Sequence, residues 1–73
     1  MDTNTIKIVK IMGESNISWE DAANNTVKQA SKTIKQITGI KVLDMSGNIE
    51  NGEIVEYKTT VEIAFPVIDK NNN

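Results

Sequence analysis

Few residues in this 73-residue chain can do chemistry, and the missing types matter most. There is no histidine and no cysteine. That removes the commonest general acid–base group and the thiolate nucleophile. It also removes the usual ligands of zinc and copper, and any disulfide. Four serines, Ser15, Ser18, Ser31 and Ser46, have no recognisable activating partner. Gly47 and Gly52 sit in turn-like contexts, not in a GxxxxGKS, GxxxxGKT or GxGxxG phosphate loop. The chain is therefore read as non-catalytic.

Binding chemistry has more to work with. Asp44, Glu50, Glu53, Glu56 and Glu62 supply the oxygen donors that Ca²⁺ or Mg²⁺ prefers, if copies gather them at a symmetry axis. Their spacing is not that of an EF-hand, so ordinary solvated charge is the plainer reading. Lys58 lies between Glu56 and Thr60 on one side of a strand-like stretch. It suits an anionic phosphate or carboxylate, or more simply a Lys–Glu cross-strand or intersubunit pair. Trp19 either anchors a neighbouring subunit or caps the domain's own core. Asn24 and Asn25 are mid-helix residues that either face solvent, the favoured reading, or hydrogen-bond across an interface.

The net charge of −2, with lysines and acids interspersed, offers no basic stripe for nucleic acid or an anionic membrane. The opening MDTNTIKIVK carries no apolar signal core, and no run approaches the ~20 apolar residues of a membrane span. A cytoplasmic location follows as the default. Asn16-Ile17-Ser18 and Asn24-Asn25-Thr26 then match the glycosylation pattern by chance.

Four elements must position these groups in a single domain over 1–73. TIKIVKIM, Thr5 to Met12, is rich in β-branched residues and reads as a strand with both faces partly apolar. Gly13 to Asn16 reads as a loop. A helix is expected from Trp19 to Ile37, capped by Ser18, with Ile17 stapled against Ala22. Its apolar stripe is Ala23, Val27, Ala30, Ile34 and Ile37, and Gly39 is placed to end it. A second strand, Ile40 to Ile49, is interrupted at Ser46-Gly47. Asn51-Gly52 is a hairpin turn because both residues tolerate positive φ. The third strand is EIVEYKTTVEIAFPV, Glu53 to Val67. Pro66 cannot donate to a ladder, so pairing should weaken there or lie on an edge. Residues 69–73 read as a frayed polar tail.

The order β-α-β-β predicts an α+β fold: a three-stranded sheet in order 2-3-1 wrapped on one helix. The third strand alternates strictly, with Val55, Tyr57, Thr59, Val61, Ile63, Phe65 and Val67 on one side. Extended, it reaches about 50 Å, whereas the expected helix spans about 28 Å. A compact chain of this length has a radius of gyration of only about 11 Å. Small domains without disulfides or metals commonly finish burial by association, so other copies of the chain are expected to cover the excess.

Length, element order and two segments together resemble the dodecin family. IMGESNISWEDAANNTVKQASKTI is similar to the family's Gly-x-Ser loop running into an Ala-rich helix. NGEIVEYKTTVEIAF is similar to its closing strand, with Val-Glu-Ile-Ala-Phe spaced like Val-x-Val-x-Phe. The resemblance implies a hollow homododecamer that binds flavins (riboflavin, FMN or FAD) in pairs near symmetry axes. It implies a flavin-stacking tryptophan where this chain has Gly39, and a hydrogen-bonding glutamine where it has Lys58. Asp44 matches an acidic position of some flavin-binding members. Gly39, Asp44 and Lys58 are thus the mapped ligand-binding candidates, with both principal flavin contacts replaced. The competing expectation is a structural or metal-supported shell that has lost flavin binding.

Overall fold

A computed structural model describes residues 5–67. The expected tail at 69–73 lies outside them. The elements are β1 (Thr5–Ser15), α1 (Trp19–Ala30), β2 (Gly39–Glu50) and β3 (Glu53–Val67). They form one antiparallel sheet in the order β1-β3-β2, as expected. β3 is central, with β1 hydrogen-bonded along one edge and β2 along the other. β1 pairs along it from Thr5 opposite Val67 to Ser15 opposite Tyr57. β2 returns to it through Asn51 (φ 52°) and Gly52 (φ 79°). Two consecutive positive φ values make the tight turn that Asn-Gly favours. Pro66 faces Ile6 on β1, while β2 begins at Gly39 opposite Ala64, so its missing N–H falls beyond the second ladder.

The helix is shorter than its periodicity predicts. It opens as expected, with Asp21 N–H donating to Ser18 Oγ at 2.9 Å. It ends at Ala30, where Lys32 N–H turns to Gln29 O and Thr33 N–H to Ala30 O, both at 3.1 Å. These three-residue closures tighten the chain. Gln36 then takes φ 62°, so the reversal expected at Gly39 occurs three residues earlier. Ile34 and Ile37 leave the helix and pack as a strap on the Ala30, Val61 and Ile63 core. The twelve-residue helix covers only about 18 Å.

The contact face differs in detail too. Ala22, Thr26 and Ala30 are the buried helix residues, one face at four-residue steps. Ala23 is only half-buried, and Ile17 is 69% exposed, so no staple to Ala22 forms. The reason is Gly13, which continues β1 instead of opening a loop. A β-carbon built on Gly13 would lie 1.7 Å from Thr26 Oγ1 and 2.6 Å from Ala22 O. Only glycine lets the helix backbone come this close to the strand. Thr26 satisfies its buried hydroxyl by donating to Ala22 O at 2.8 Å.

The molecule measures 60 × 20 × 12 Å with a radius of gyration of 15.7 Å, well beyond the roughly 11 Å of a compact chain this long. The largest fully buried side chains are Thr59, Val61 and Ile63, adjacent positions on one face of β3. Ile40, Val42 and Met45 on β2 share that face but lie outside the helix's cover, at 48%, 47% and 61% exposed. Ile6 and Ile8 lie bare on the other face. None of the helices is long and apolar enough to cross a membrane among the described residues.

Replacing Gly13 with alanine forces α1 off the sheet. The expected loss is about 1–3 kcal/mol, the usual range for overpacking, read as a lower urea midpoint than wild type. An unchanged midpoint would mean that the close approach of helix and strand carries no stability.

Candidate functional site

The two sheet faces have different chemistry. The helix face carries Val9, Ile11 and Gly13 on β1, Thr59, Val61 and Ile63 on β3, and Ile40, Val42 and Met45 on β2, matched by register. The opposite face, free of helix, reads as cross-strand rows. Ile8, Ala64 and Gly39 form one row; Lys10, Glu62 and Lys41 the next. Met12, Thr60 and Asp44 follow, then Glu14, Lys58 and Ser46. Asn48 and Glu56 close the series, with Asn48 Nδ2 donating to Glu56 Oε1 at 2.8 Å.

Asp44 reaches this face through a bulge. Val42 pairs with Val61 but Asp44 with Thr60, leaving Leu43 as the extra residue of β2. Strict alternation would have put Asp44 on the same side as Val42. Sequence spacing therefore misplaces it, and no local turn residue marks the shift. A second irregularity, between Asn48 and Ile49, turns the hairpin end. There Ile54 Cγ2 comes within 3.5 Å of a β-carbon built on Gly47, which lies opposite Tyr57 on the helix face.

All three mapped residues thus share the helix-free face, but they are not all neighbours. Asp44 is paired with Thr60 and sits diagonally from Lys58, about 7–8 Å apart in backbone terms. Gly39 lies opposite Ala64, six residues along β3 from Lys58, or about 20 Å away. A site using both Gly39 and Lys58 is not assembled within one subunit. A β-carbon on Gly39 meets only Ala64 Cβ, at 3.7 Å, so the position has room for a side chain. Lys58 is half-buried between Glu14 and Ser46. That register sets Glu14 directly opposite Lys58, where a cross-strand Lys–Glu pair would need it.

Trp19 lies on the other face, in contact with its own sheet. Its indole Nε1–H donates to Ser46 O at 2.7 Å, and its ring meets Tyr57 edge-on at 4.8 Å. The buried Thr59 hydroxyl donates to Trp19 O at 2.8 Å. Trp19 therefore fastens the start of α1 across β3 to β2. Behind it, Ser15 Oγ donates to Asp21 Oδ2 at 2.6 Å and accepts from Ile17 N–H at 2.9 Å. Sequence reasoning missed this Ser15–Asp21 clasp, because its partners come from different elements. Asn24 and Asn25 are exposed, as expected, and Asn25 Nδ2 also donates to Asp21 at 3.1 Å.

A cleft of about 370 Å³ lies between α1 and β1, lined by Ile11, Met12, Gly13, Glu14, Asn25, Thr26, Gln29 and Ala30. None of Gly39, Asp44 or Lys58 lines it. The acids do not form a metal site within one chain: among the described residues, no three of Asp, Glu, His or Cys come together to hold an ion.

The three-stranded sheet carries one short helix and leaves apolar residues bare on both faces. The dodecin family's sequence model matches residues 5–67, and the chain belongs to that family of small, non-catalytic, oligomeric ligand-binding proteins. It is similar to the calcium dodecin of Mycobacterium tuberculosis (strain ATCC 25618 / H37Rv), 27% identical over 59 residues, covering 81% of this chain and 83% of that protein. The fold matches the dodecin of Streptomyces coelicolor with a TM-score of 0.89, at 23% identity, over 94% of this chain and 99% of that one. A point variant of the T. thermophilus dodecin matches with a TM-score of 0.88, at 24% identity, over 92% of this chain and 100% of that one. The M. tuberculosis calcium dodecin structure, described with a novel calcium-binding site, matches at 0.77 and 23% identity, over 94% and 99% of the two chains.

If Trp19 works as a strut for its own sheet, Trp19→Phe loses the bond to Ser46 and about 1 kcal/mol of stability. Chemical denaturation checks this. A variant as stable as wild type but smaller by gel filtration would instead make Trp19 an intersubunit anchor.

Proposed function

We propose that this chain assembles in the cytoplasm as a homododecamer and binds or sequesters a small ligand of the flavin type between its copies. The observation that carries this reading is the common face of Gly39, Asp44 and Lys58. Family resemblance maps all three to ligand contacts, and the fold sets all three on the sheet face that its own helix leaves open. A shallow three-stranded surface cannot enclose a ring system, so enclosure requires a second copy. The separation of Gly39 from Lys58 requires it as well.

The residues present do not supply the usual flavin contacts. Gly39 offers no ring to stack, and Lys58 offers a charge in place of an amide. Trp19 cannot substitute, because it lies on the helix side of the sheet with its indole donating to the backbone carbonyl of Ser46. One missing stack of about 1–3 kcal/mol corresponds to roughly a five- to hundredfold loss of affinity. The proposed ligand is therefore a flavin held weakly, or a flavin-sized anion that Lys58 favours.

A second reading is a shell supported by Ca²⁺ or Mg²⁺. The name of the M. tuberculosis relative supports it, as does the presence of Asp44, Glu56 and Glu62 on this same face. Because no three acids converge in one chain among the described residues, such ions would sit between copies.

Titrating FMN while following its fluorescence separates the two. The first reading expects quenching at micromolar protein, and a gain of five- to a hundredfold in affinity for the Gly39→Trp, Lys58→Gln double variant, on the scale of one aromatic stack. No quenching at high protein concentration, with calorimetric heat on adding Ca²⁺, favours the shell. An unchanged titration in the double variant would remove the mapped site.

A further inference from the structure

Every polar side chain that lines the cleft between α1 and β1 can accept a hydrogen bond, and no cationic side chain is among them. The floor is buried or half-buried, with Ile11 and Gly13 from β1 and Thr26 and Ala30 from α1. The rim is exposed, with Met12 and Glu14 on β1 facing Asn25 and Gln29 on α1. Asn25 spends an amide N–H on Asp21 Oδ2 at 3.1 Å, which leaves its Oδ1 as an acceptor. Thr26 gives its hydroxyl proton to Ala22 O at 2.8 Å, which leaves lone pairs on its oxygen. Glu14 brings the lining's charge, and it is negative. Gln29 adds a further carbonyl oxygen. Ile11, Met12 and Ala30 offer apolar surface beside these acceptors.

We propose that this cleft is a binding site for a small organic cation, an alkyl chain that ends in a guanidinium group. The charged head meets Glu14 and the amide oxygens of the rim, and the chain lies on Ile11, Met12 and Ala30. A planar guanidinium presents several N–H donors in a fixed fork, which suits a carboxylate with a carbonyl oxygen nearby better than a compact ammonium does. Lys58 sits opposite Glu14 on β3, whereas the cleft lies on the α1 side of β1. A carboxylate has lone pairs enough to accept from both sides. At about 370 Å³ the cleft falls at the low end of the ~300–1,000 Å³ of small-molecule sites, which favours a ligand smaller than a flavin. A ligand of so few atoms on an open cleft should bind with a dissociation constant on the order of 1 mM. The site shares no residue with Gly39, Asp44 and Lys58 and does not rest on the ligand reading above.

NMR of labelled methionine methyl groups, on the full chain in whatever assembly it forms, tests this. On titration with butylguanidinium chloride, the Met12 methyl on the rim should shift with a millimolar midpoint. The Met45 methyl, two strands away at about 10 Å, should stay in place. Butylurea has the same shape without the charge and should not move Met12 over the same range. Glu14→Gln should weaken binding about tenfold, since a charged acceptor becomes a neutral one. Gln29→Lys sets a cation on the rim at an exposed helix position and should abolish the Met12 response. N-acetylarginine methylamide, run in parallel, separates two sources of the same group. Tighter binding than butylguanidinium assigns the cleft to an arginine side chain of a partner, and no tighter binding to a free guanidine; either supports the site. A Met12 methyl that stays still throughout the millimolar range would overturn the proposal. So would an equal shift with butylurea, a Met45 shift that tracks Met12, or unchanged binding in Glu14→Gln.

Discussion

The close approach of α1 to β1 at Gly13 governs the rest of the structure. With no β-carbon in the way, Thr26 and the carbonyl of Ala22 come down onto the strand. That seats the helix over Thr59, Val61 and Ile63, the only positions buried to near zero exposure on β3. The same contact limits the helix's reach. Fixed over β1 and β3, and only twelve residues long, it cannot shield β2 or either end of the ribbon. Each turn of helix covers about 5.4 Å, whereas β3 runs fifteen residues at about 3.3 Å each.

The uncovered surface divides by chemistry. On the helix side, Ile40, Val42 and Met45 form an apolar stripe along an edge strand. Exposed apolar stripes of this kind usually mark contact surfaces. On the other side, rows of lysine and glutamate lie between an apolar end at Ile8 and Ala64 and a polar end at Asn48 and Glu56, a pattern that favours orientation over raw burial. Neither face encloses a ligand alone. The binding proposed on the helix-free face therefore depends on quaternary structure, unlike in a protein whose pocket lies within one core. The single tryptophan, the residue best suited to stacking on a ring, is committed instead to holding helix and sheet together.

Much of the architecture was legible because strong local patterns agreed with one another. The fifteen-residue alternation of β3, Ser18 at the helix start and Asn51-Gly52 at the turn each named its element correctly. The helix end was misread because Ile34 and Ile37 continue a helical spacing while packing from a turn. Gly13 was misread as a loop residue because a glycine that admits a helix looks, in one dimension, like a glycine that breaks a strand. The candidates Gly39, Asp44 and Lys58 were nameable from the family pattern, but their placement was not. A one-residue bulge at Leu43 moves Asp44 across the sheet, and nothing local in the chain marks it.

The chain by itself determined the element order, the antiparallel hairpin, the absence of histidine and cysteine chemistry, and a central strand too long for its helix. These follow from residue type and near-neighbour spacing. Tertiary structure alone decided where the helix stops, that Ala22 and Thr26 form its contact line, that Trp19 bonds to Ser46 across its own sheet, and that Gly39, Asp44 and Lys58 share one face. Each of those depends on which distant backbone comes within a few ångströms of another, a relation that linear spacing does not encode.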